Sequence, residues 1–431
     1  MTIFSRRDFI KASGVTVAGA ILIPRLDFQA LIPPSQVQPG SQEKLVASGC
    51  TGCVGWCPLM VRVVNGKAVR VEGNPNSKWT QGKLCPRGLL NLQILYDPDR
   101  VKKPLKRTNP KKGRDEDPKW VEISWDEAIA TIATKMKELR DKGTPERFAL
   151  FRGRYTPLDA DILYGRLAKA YGSPNAISHS ALCSETDKSG NWYARGNYAY
   201  SAYDYEDTNY ILAFGTPFLE TQRPTTATLA SYPKGRRGRA VRPRTVVVDP
   251  RLSVTAAKAD EWIPVNPGTD GALALGIAHE ILTAGLWDRK FVGEFKDKAK
   301  KFVTGQTVAE DDWVDAYTIG LAKWWNLFLK DFSPKEAAGK TGVPEATIKR
   351  IAQEFATTKP AVTTRGRGAG AWPGNGTYNI YAIYALNGLV GSVDVKGGIN
   401  NAPSVSFAPE PIEIALDDAA TAGSKKPRID E

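Results

Sequence analysis

The chain has 431 residues, 42% hydrophobic and 24% charged, a globular composition with apolar material for more than one domain. Its formal net charge of +13 points to an anionic partner: nucleic acid, an anionic membrane face or a small anionic ligand. The first segment narrows that choice. In SRRDFIK (5–11) two adjacent arginines, Arg6 and Arg7, precede an apolar run from Ala12 to Ile23 that is too short to span a bilayer. Charge followed by a short apolar run is an export signal, and the arginine pair resembles the twin-arginine address; a Sec signal or an amphipathic anchor is the other reading. The expectation is a twin-arginine signal over 1–30, export of the folded protein to the periplasm, and so no nucleic-acid partner. No later apolar run is long enough for a transmembrane helix.

Residues 27–44 are rich in Pro and Gln and read as a linker. Over 61–71, VRVVNGKAVRV alternates about Asn65-Gly66, a strong hairpin signal that places the neighbouring cysteines on a small, loop-rich β unit. SWDE at 124–127 predicts a capping box opening an amphipathic helix to about Lys142. RFALF (147–151) then reads as a strand and DADILYGRLAKAY (159–171) as a helix. YILAFG (210–215) and TVVVDP (245–250) read as strands, followed by the helix DGALALGIAHEIL (270–282). Helix EATIKRIAQEFA (345–356), strand AVTTRG (361–366) and helix YNIYAIYALNGLV (378–390) complete the alternation, which predicts a parallel, doubly wound α/β architecture. KGRRGRAVRPR (234–244) is expected to be a solvated basic loop, or else a contact for an anion or partner subunit.

Of five cysteines, four follow the pattern C-x2-C-x3-C-x27-C: Cys50, Cys53, Cys57 and Cys85. Two short gaps let one loop wrap three thiolates round a compact centre, and the fourth closes it after the hairpin. Four thiolates suit zinc or an iron–sulfur cluster. Disulfides are common in exported proteins, but so tight a run is awkward for independent pairing. A folded export route favours the cluster, because the metal can be installed beforehand. The fifth, Cys183, stands alone, and a lone cysteine is most often a small buried hydrophobe. Of the two histidines, His279 lies on an apolar helix and reads as structural.

The export signal, the cysteine spacing and CPRG (85–88) are followed in order by residues 246–282, RGRGAGAWPGNG (365–376) and LNGLVGSVDVKGGINN (386–401). Together they resemble the molybdopterin (dimethyl sulfoxide reductase) family of oxidoreductases. The resemblance implies an α/β fold with a small N-terminal β-rich iron–sulfur domain over 43–100 and two doubly wound α/β domains, one over 101–180 and 345–431, the other over 181–344. It implies one [4Fe-4S] cluster on the four clustered cysteines, and molybdenum or tungsten held by two molybdopterin guanine dinucleotides. Gly215, Thr216, Gly268, Thr269, Gly366 and Gly368 would face the cofactor, where glycine lets backbone amides approach phosphates. Asp249, Arg251 and Asp270 would meet guanine or ribose groups, although Asp270 also reads as a helix N-cap. Arg87 would bridge cluster and pterin, its other reading being a plain surface charge.

The same resemblance makes Cys183 a protein ligand to the metal. Arg154, Tyr155, His179, Lys188 and Tyr200 gather round it in sequence. Arg and Lys would hold a tetrahedral oxyanion, and Tyr and His would supply protons to a departing oxygen. GRYT (153–156), SHSALC (178–183) and DKSG (187–190) are most similar to the respiratory arsenate reductase branch, beside the polysulfide and thiosulfate reductases. The expected function is periplasmic two-electron oxygen-atom transfer from an oxyanion such as arsenate. Electrons would come through an iron–sulfur subunit and a membrane quinol-oxidising subunit. Polysulfide, thiosulfate or tetrathionate reduction is the alternative, and a non-catalytic electron-transfer subunit of the same fold is a third. The resemblance stops near Asn401, so the family's C-terminal domain is expected to be missing and cofactor binding by this chain alone to be weak.

Overall fold

A computed structural model describes residues 42–53, 55–153, 166–178, 185–222, 225–370, 374–402 and 414–429. The N-terminal unit is a three-stranded antiparallel sheet of β1 (Glu43–Gly49), β2 (Pro58–Val64) and β3 (Lys67–Gly73), with β2 in the middle. Asn65 and Gly66 turn β2 into β3 with φ of 49° and 77°, the left-handed pair that a two-residue hairpin requires. β1 is exposed along its whole length, and among the described residues the buried apolar centre of the unit is Cys50, Cys57 and Leu59, backed by Val61, Val71 and Leu84.

β4 (Leu105–Arg107) and β5 (Trp120–Glu122) form a small antiparallel pair before the helix Trp125–Asp141. The Ser124 hydroxyl accepts from the Glu127 amide as the capping signal requires. The Glu127 carboxylate does not close the box and takes Lys106 Nζ instead, at 3.0 Å. No residue of this helix is buried, and Trp125, Ile129 and Ile132 lie open. β6 (Leu150–Arg152) and β7 (Ala176–Ser178) make a short parallel pair. The helix Glu185–Arg195 follows, then β8 (Ser201–Tyr203).

The main sheet is fully parallel. Its strands are β9 (Tyr210–Phe214), β10 (Arg244–Val248), β11 (Glu261–Ile263) and, after the antiparallel pair β12 (Gly293–Phe295) and β13 (Trp313–Asp315), β14 (Ala361–Arg365). The order across the sheet is β11-β10-β9-β14. The chain therefore winds outward from β9 in one direction, then returns to its other side, as in doubly wound folds. β9 and Val246–Val248 are wholly buried, and they share one core with Leu273, Ile277 and Ile281, with Ile348, Ile351 and Phe355, and with Ile380 and Ile383. Continuous apolar strands are what a parallel sheet covered by helices needs. β15 (Ile399–Asn401) returns to pair with β8.

β14 pairs with β9, so Ala361–Arg365 share the main sheet with strands of the 181–344 segment, whereas the last helix, Asp418–Gly423, and its flanks pack on 101–180, where Arg140 pairs with Asp417, Lys426 with Glu146, and the Ile429 amide donates to Asn175. The basic stretch 234–244 is a solvated loop only in its middle: its first residues finish the helix Thr225–Arg237, Gly238 and residues 240–242 are exposed, and Arg244 opens β10. Several of its charges are paired within the fold. Arg236 and Arg242 share Asp260, Arg239 donates to the Thr208 carbonyl at 2.6 Å, and Arg244 pairs with Glu261 and Glu354.

Candidate functional site

The four clustered cysteines converge on one side of the N-terminal sheet. The Cys50 amide donates to the Cys57 carbonyl at 2.9 Å, closing the loop that carries the first three thiols. Cys85 arrives at the extended N-cap of the short helix Pro86–Leu89. All four are free thiols. Burial raises the Cys57 thiol above its ordinary value, the Thr226 hydroxyl opposes this, and the nearby thiols of Cys53, Cys50 and Cys85 each add to the rise.

The donors round this centre match a polynuclear cluster. The Gly55 amide donates to Cys53 Sγ at 3.3 Å and Asn91 Nδ2 to Cys50 Sγ at 3.4 Å, while Cys57 Sγ lies 3.0 Å from Thr226 Oγ1. Such bonds stabilise thiolate charge. Four thiols with amide and hydroxyl donors beside them are the kind of ligand set an iron–sulfur cluster takes.

Thr226 stands in the first turn of the helix that follows β9, so the thiol centre abuts a crevice at the C-terminal edge of the main sheet. In open parallel sheets ligands bind there, where the strand order reverses. The reversal lies between β9 and β14. Gly215 leaves β9 with φ of 53°, and Gly366 leaves β14 so close that a Cβ on it would lie 1.6 Å from the Gly215 carbonyl oxygen. Only glycine permits that approach. Gly368 has room for an ordinary side chain. Thr216 is buried and donates to the Phe214 carbonyl at 2.9 Å.

The other two strand ends present acids. Asp249 follows β10, accepts the Arg251 amide at 2.9 Å, and has its carbonyl fixed by Trp262 Nε1 at 2.7 Å. Burial raises its carboxyl above the ordinary value. Gly268 turns the chain after β11 with φ of 82°, and Thr269, not Asp270, is the N-cap of the helix Asp270–Thr283. Asp270 occupies the first helical position, buried, its carboxyl pushed up to about 6 by burial, with the Asp249 charge adding to it. Arg251 points outward and pairs with Glu220 at 3.0 Å. Two buried acids and two glycine turns at one sheet edge suit a ligand that offers N–H or O–H donors at one end and phosphates at the other.

Lys188 and Tyr200 come together. Lys188 Nζ is 2.6 Å from Glu185 Oε1 and 5.4 Å from the Tyr198 ring centroid, and Tyr198 donates to the other Glu185 oxygen at 2.6 Å. Arg87 is exposed beside Cys85. Cys183, Arg154, Tyr155 and His179 lie outside the described residues. His279 is structural as expected, buried between the Leu329 carbonyl at 2.7 Å and Thr304 Oγ1 at 2.9 Å. Sequence reading missed Thr226 and Asn91, since a lone Thr or Asn carries no spacing signal. It also missed the buried ion pair of Asp187 and Arg365, 178 residues apart in sequence.

A thiolate-ringed centre against a nucleotide-type crevice defines a redox protein that carries an iron–sulfur centre beside a bound cofactor. The comparisons agree. The Molybdopterin oxidoreductase model matches residues 100–425 and its Fe4S4 domain model residues 43–97, and the chain belongs to the molybdopterin oxidoreductase family. Its cofactors are accordingly one [4Fe-4S] cluster and molybdenum held by molybdopterin. The chain is 42% identical to the molybdopterin-containing subunit of arsenate respiratory reductase from Chrysiogenes arsenatis, covering 99% of this chain and 50% of that one. The corresponding subunit from Shewanella sp. (strain ANA-3) is 39% identical with the same coverage. The chain thus spans about half the length of these curated relatives. The thiosulfate reductase molybdopterin-containing subunit of Salmonella typhimurium (strain LT2) is 28% identical, over 92% of this chain and 47% of its own. Among solved structures, acetylene hydratase from Pelobacter acetylenicus shares the fold with a TM-score of 0.63 at 25% identity, over 82% of this chain and 44% of that one.

Proposed function

We propose that this chain holds the cofactors of a periplasmic oxyanion reductase whose substrate is arsenate. The observation that carries the reading is the 39–42% identity, across 99% of the chain, to two arsenate respiratory reductase subunits. In the balanced reaction arsenate accepts two electrons and two protons, loses one oxygen as water and leaves as arsenite. Molybdenum supplies two-electron, oxygen-accepting chemistry when bound. The chain supplies the rest.

Arg154 and Lys188 hold the oxyanion, Arg through its planar fork and Lys as a point charge. Glu185 keeps Lys188 protonated, its carboxylate raising the ammonium's affinity for its proton against the cost of burial. An incoming oxyanion must then compete with Glu185 for Lys188. Tyr155, His179 and Tyr200 deliver protons to the departing oxygen. Cys183 would be the thiolate ligand to the metal. Gly215, Thr216, Gly366 and Gly368 would hold the phosphates of a guanine dinucleotide form of the cofactor, and Asp249 and Asp270 would accept from its guanine or ribose groups. Gly268, Thr269 and Arg251 would border the same pocket, and Arg87 would stand between cluster and pterin. Electrons arrive from an iron–sulfur subunit and a membrane quinol-oxidising subunit.

Anaerobically purified protein, with its partners, is to be assayed side by side on arsenate and on thiosulfate, tetrathionate and polysulfide with a reduced viologen donor. Arsenate turnover that exceeds turnover on every sulfur compound is the expected result. Preference for a sulfur compound would replace this reading with the sulfur-reductase one.

A further inference from the structure

Asp187 and Arg365 form a charge pair in the interior, Oδ2 to Nη1 at 2.7 Å, with their side chains 1% and 12% exposed. Asp187 lies in the first turn of the helix Glu185–Arg195, and Arg365 is the last residue of β14, directly before Gly366. Arg365 Nε also donates to the Tyr384 hydroxyl at 3.2 Å, and that hydroxyl meets the Tyr203 hydroxyl at 2.7 Å. One guanidinium thus links the helix Glu185–Arg195 to β14, to the helix Gly376–Leu389 and, through it, to β8.

The short helical turn Arg367–Gly370 is held against the same place. Thr186 Oγ1 donates to the Gly370 carbonyl at 2.7 Å. A Cβ on Gly370 would lie 2.7 Å from Asp187 Oδ1, and one on Gly190 would lie 2.5 Å from Ile380 Cβ. The first turn of one helix is therefore locked to the glycine turn that lines the crevice. A buried ion pair adds little net stability over well-packed apolar side chains of the same size. What it does supply is a defined geometry, because a guanidinium fork accepts its partners in fixed directions.

We infer that Asp187 and Arg365 are positioning residues that register Lys188 on its helix against the cofactor-facing turn 366–370. The inference rests on the proposed roles of Lys188 and of that turn. Neither Asp187 nor Arg365 needs to touch substrate or cofactor.

The test compares the parent holoenzyme with a double variant, Asp187→Leu with Arg365→Met, which removes both charges and leaves neither uncompensated. Molybdenum and pterin content per chain are measured without substrate, and KM and molybdenum-normalised kcat with arsenate. With melting within about 3 °C of the parent, the expected result is at least a threefold loss of cofactor, or a tenfold rise in KM with little change in kcat. A double variant that melts with the parent and keeps both its cofactor content and its KM overturns the inference. Should it not fold, Arg365→Lys is read in the same way, since it keeps the charge but not the fork. Failure of the substrate reading is separately visible as absence of arsenate turnover in the parent, which leaves the cofactor measurement intact.

Discussion

Asp270 shows how one buried side chain can work against the fold that holds it. Its carboxyl titrates near 6 in the native state because burial disfavours the anion, against an ordinary value of 3.8. The native state then binds the proton more tightly than the unfolded chain, so stability falls as pH rises from about 4 to about 6 and stays level above. Two pKa units correspond to roughly 3 kcal/mol. Asp270→Asn should therefore stabilise the cofactor-free protein by up to about 3 kcal/mol at pH 7 in denaturant titrations, with the gain vanishing below pH 4. The same variant should weaken cofactor retention. Equal stabilisation at pH 3.5 and pH 7 would show that the carboxyl is not the source. Thr226 offers a second test. Facing a metal-bound thiolate, its hydroxyl must be the donor to Cys57 Sγ. Thr226→Val removes that bond, and about 1 kcal/mol lost from the reduced state corresponds to a potential about 40 mV lower for a one-electron couple. An unshifted potential by redox titration would contradict the contact.

Among the elements, the N-terminal sheet is the one with least of its own to stand on. Among the described residues Cys50 and Cys57 supply two of its three buried apolar residues, so the cluster occupies the place of a core. Metal binding is then part of folding. Chelating the iron should speed amide exchange across β1–β3 to near-unfolded rates while β9 and β10, wholly buried, keep their protection. Uniform loss of protection in both would show one cooperative unit instead. The helix Trp125–Asp141 is the opposite case, regular yet uncovered. Ile129→Gln and Ile132→Gln should each change stability by less than about 0.5 kcal/mol, whereas Ile277→Ala, inside the main core, should cost about 2–5 kcal/mol. A large penalty at Ile129 would mean that something covers that face in solution.

At the scale of the whole molecule, the cysteine loop is tied to the main domain at one helix start, through the contact of Cys57 with Thr226. Export belongs to this scale as well. Replacing Arg6 and Arg7 with Lys should keep the loaded protein in the cytoplasm if the twin-arginine reading holds. An undiminished periplasmic fraction by cell fractionation would exclude it. The +13 charge, which first admitted nucleic acid as a partner, is a net excess that internal pairing leaves unchanged, although Arg236, Arg242, Arg244 and Arg350 are engaged within the fold by Asp260, Glu261 and Glu354.

The cysteine spacing, the Asn65-Gly66 hairpin and the apolar strand runs were legible in the chain because each is local. A thiol set within one loop, a turn needing two left-handed residues and a strand buried on both faces all act over a few residues. The family resemblance likewise rested on short segments in a fixed order. What the chain alone could not reveal was set by contacts between distant segments. β14 joins β9 across 147 residues, from Phe214 to Ala361, while Asp417 and Lys426 reach back to Arg140 and Glu146, so the last part of the chain contributes to two segments at once. The basic stretch read as solvated because its acidic partners, Asp260, Glu261 and Glu354, lie elsewhere in the sequence. The N-cap position falls to Thr269 and not to Asp270, a difference of one residue that only backbone geometry decides. Asp187 and Arg365 become a pair only when a helix start and a strand end meet in the interior, where the cost of an unpaired charge makes the contact obligatory.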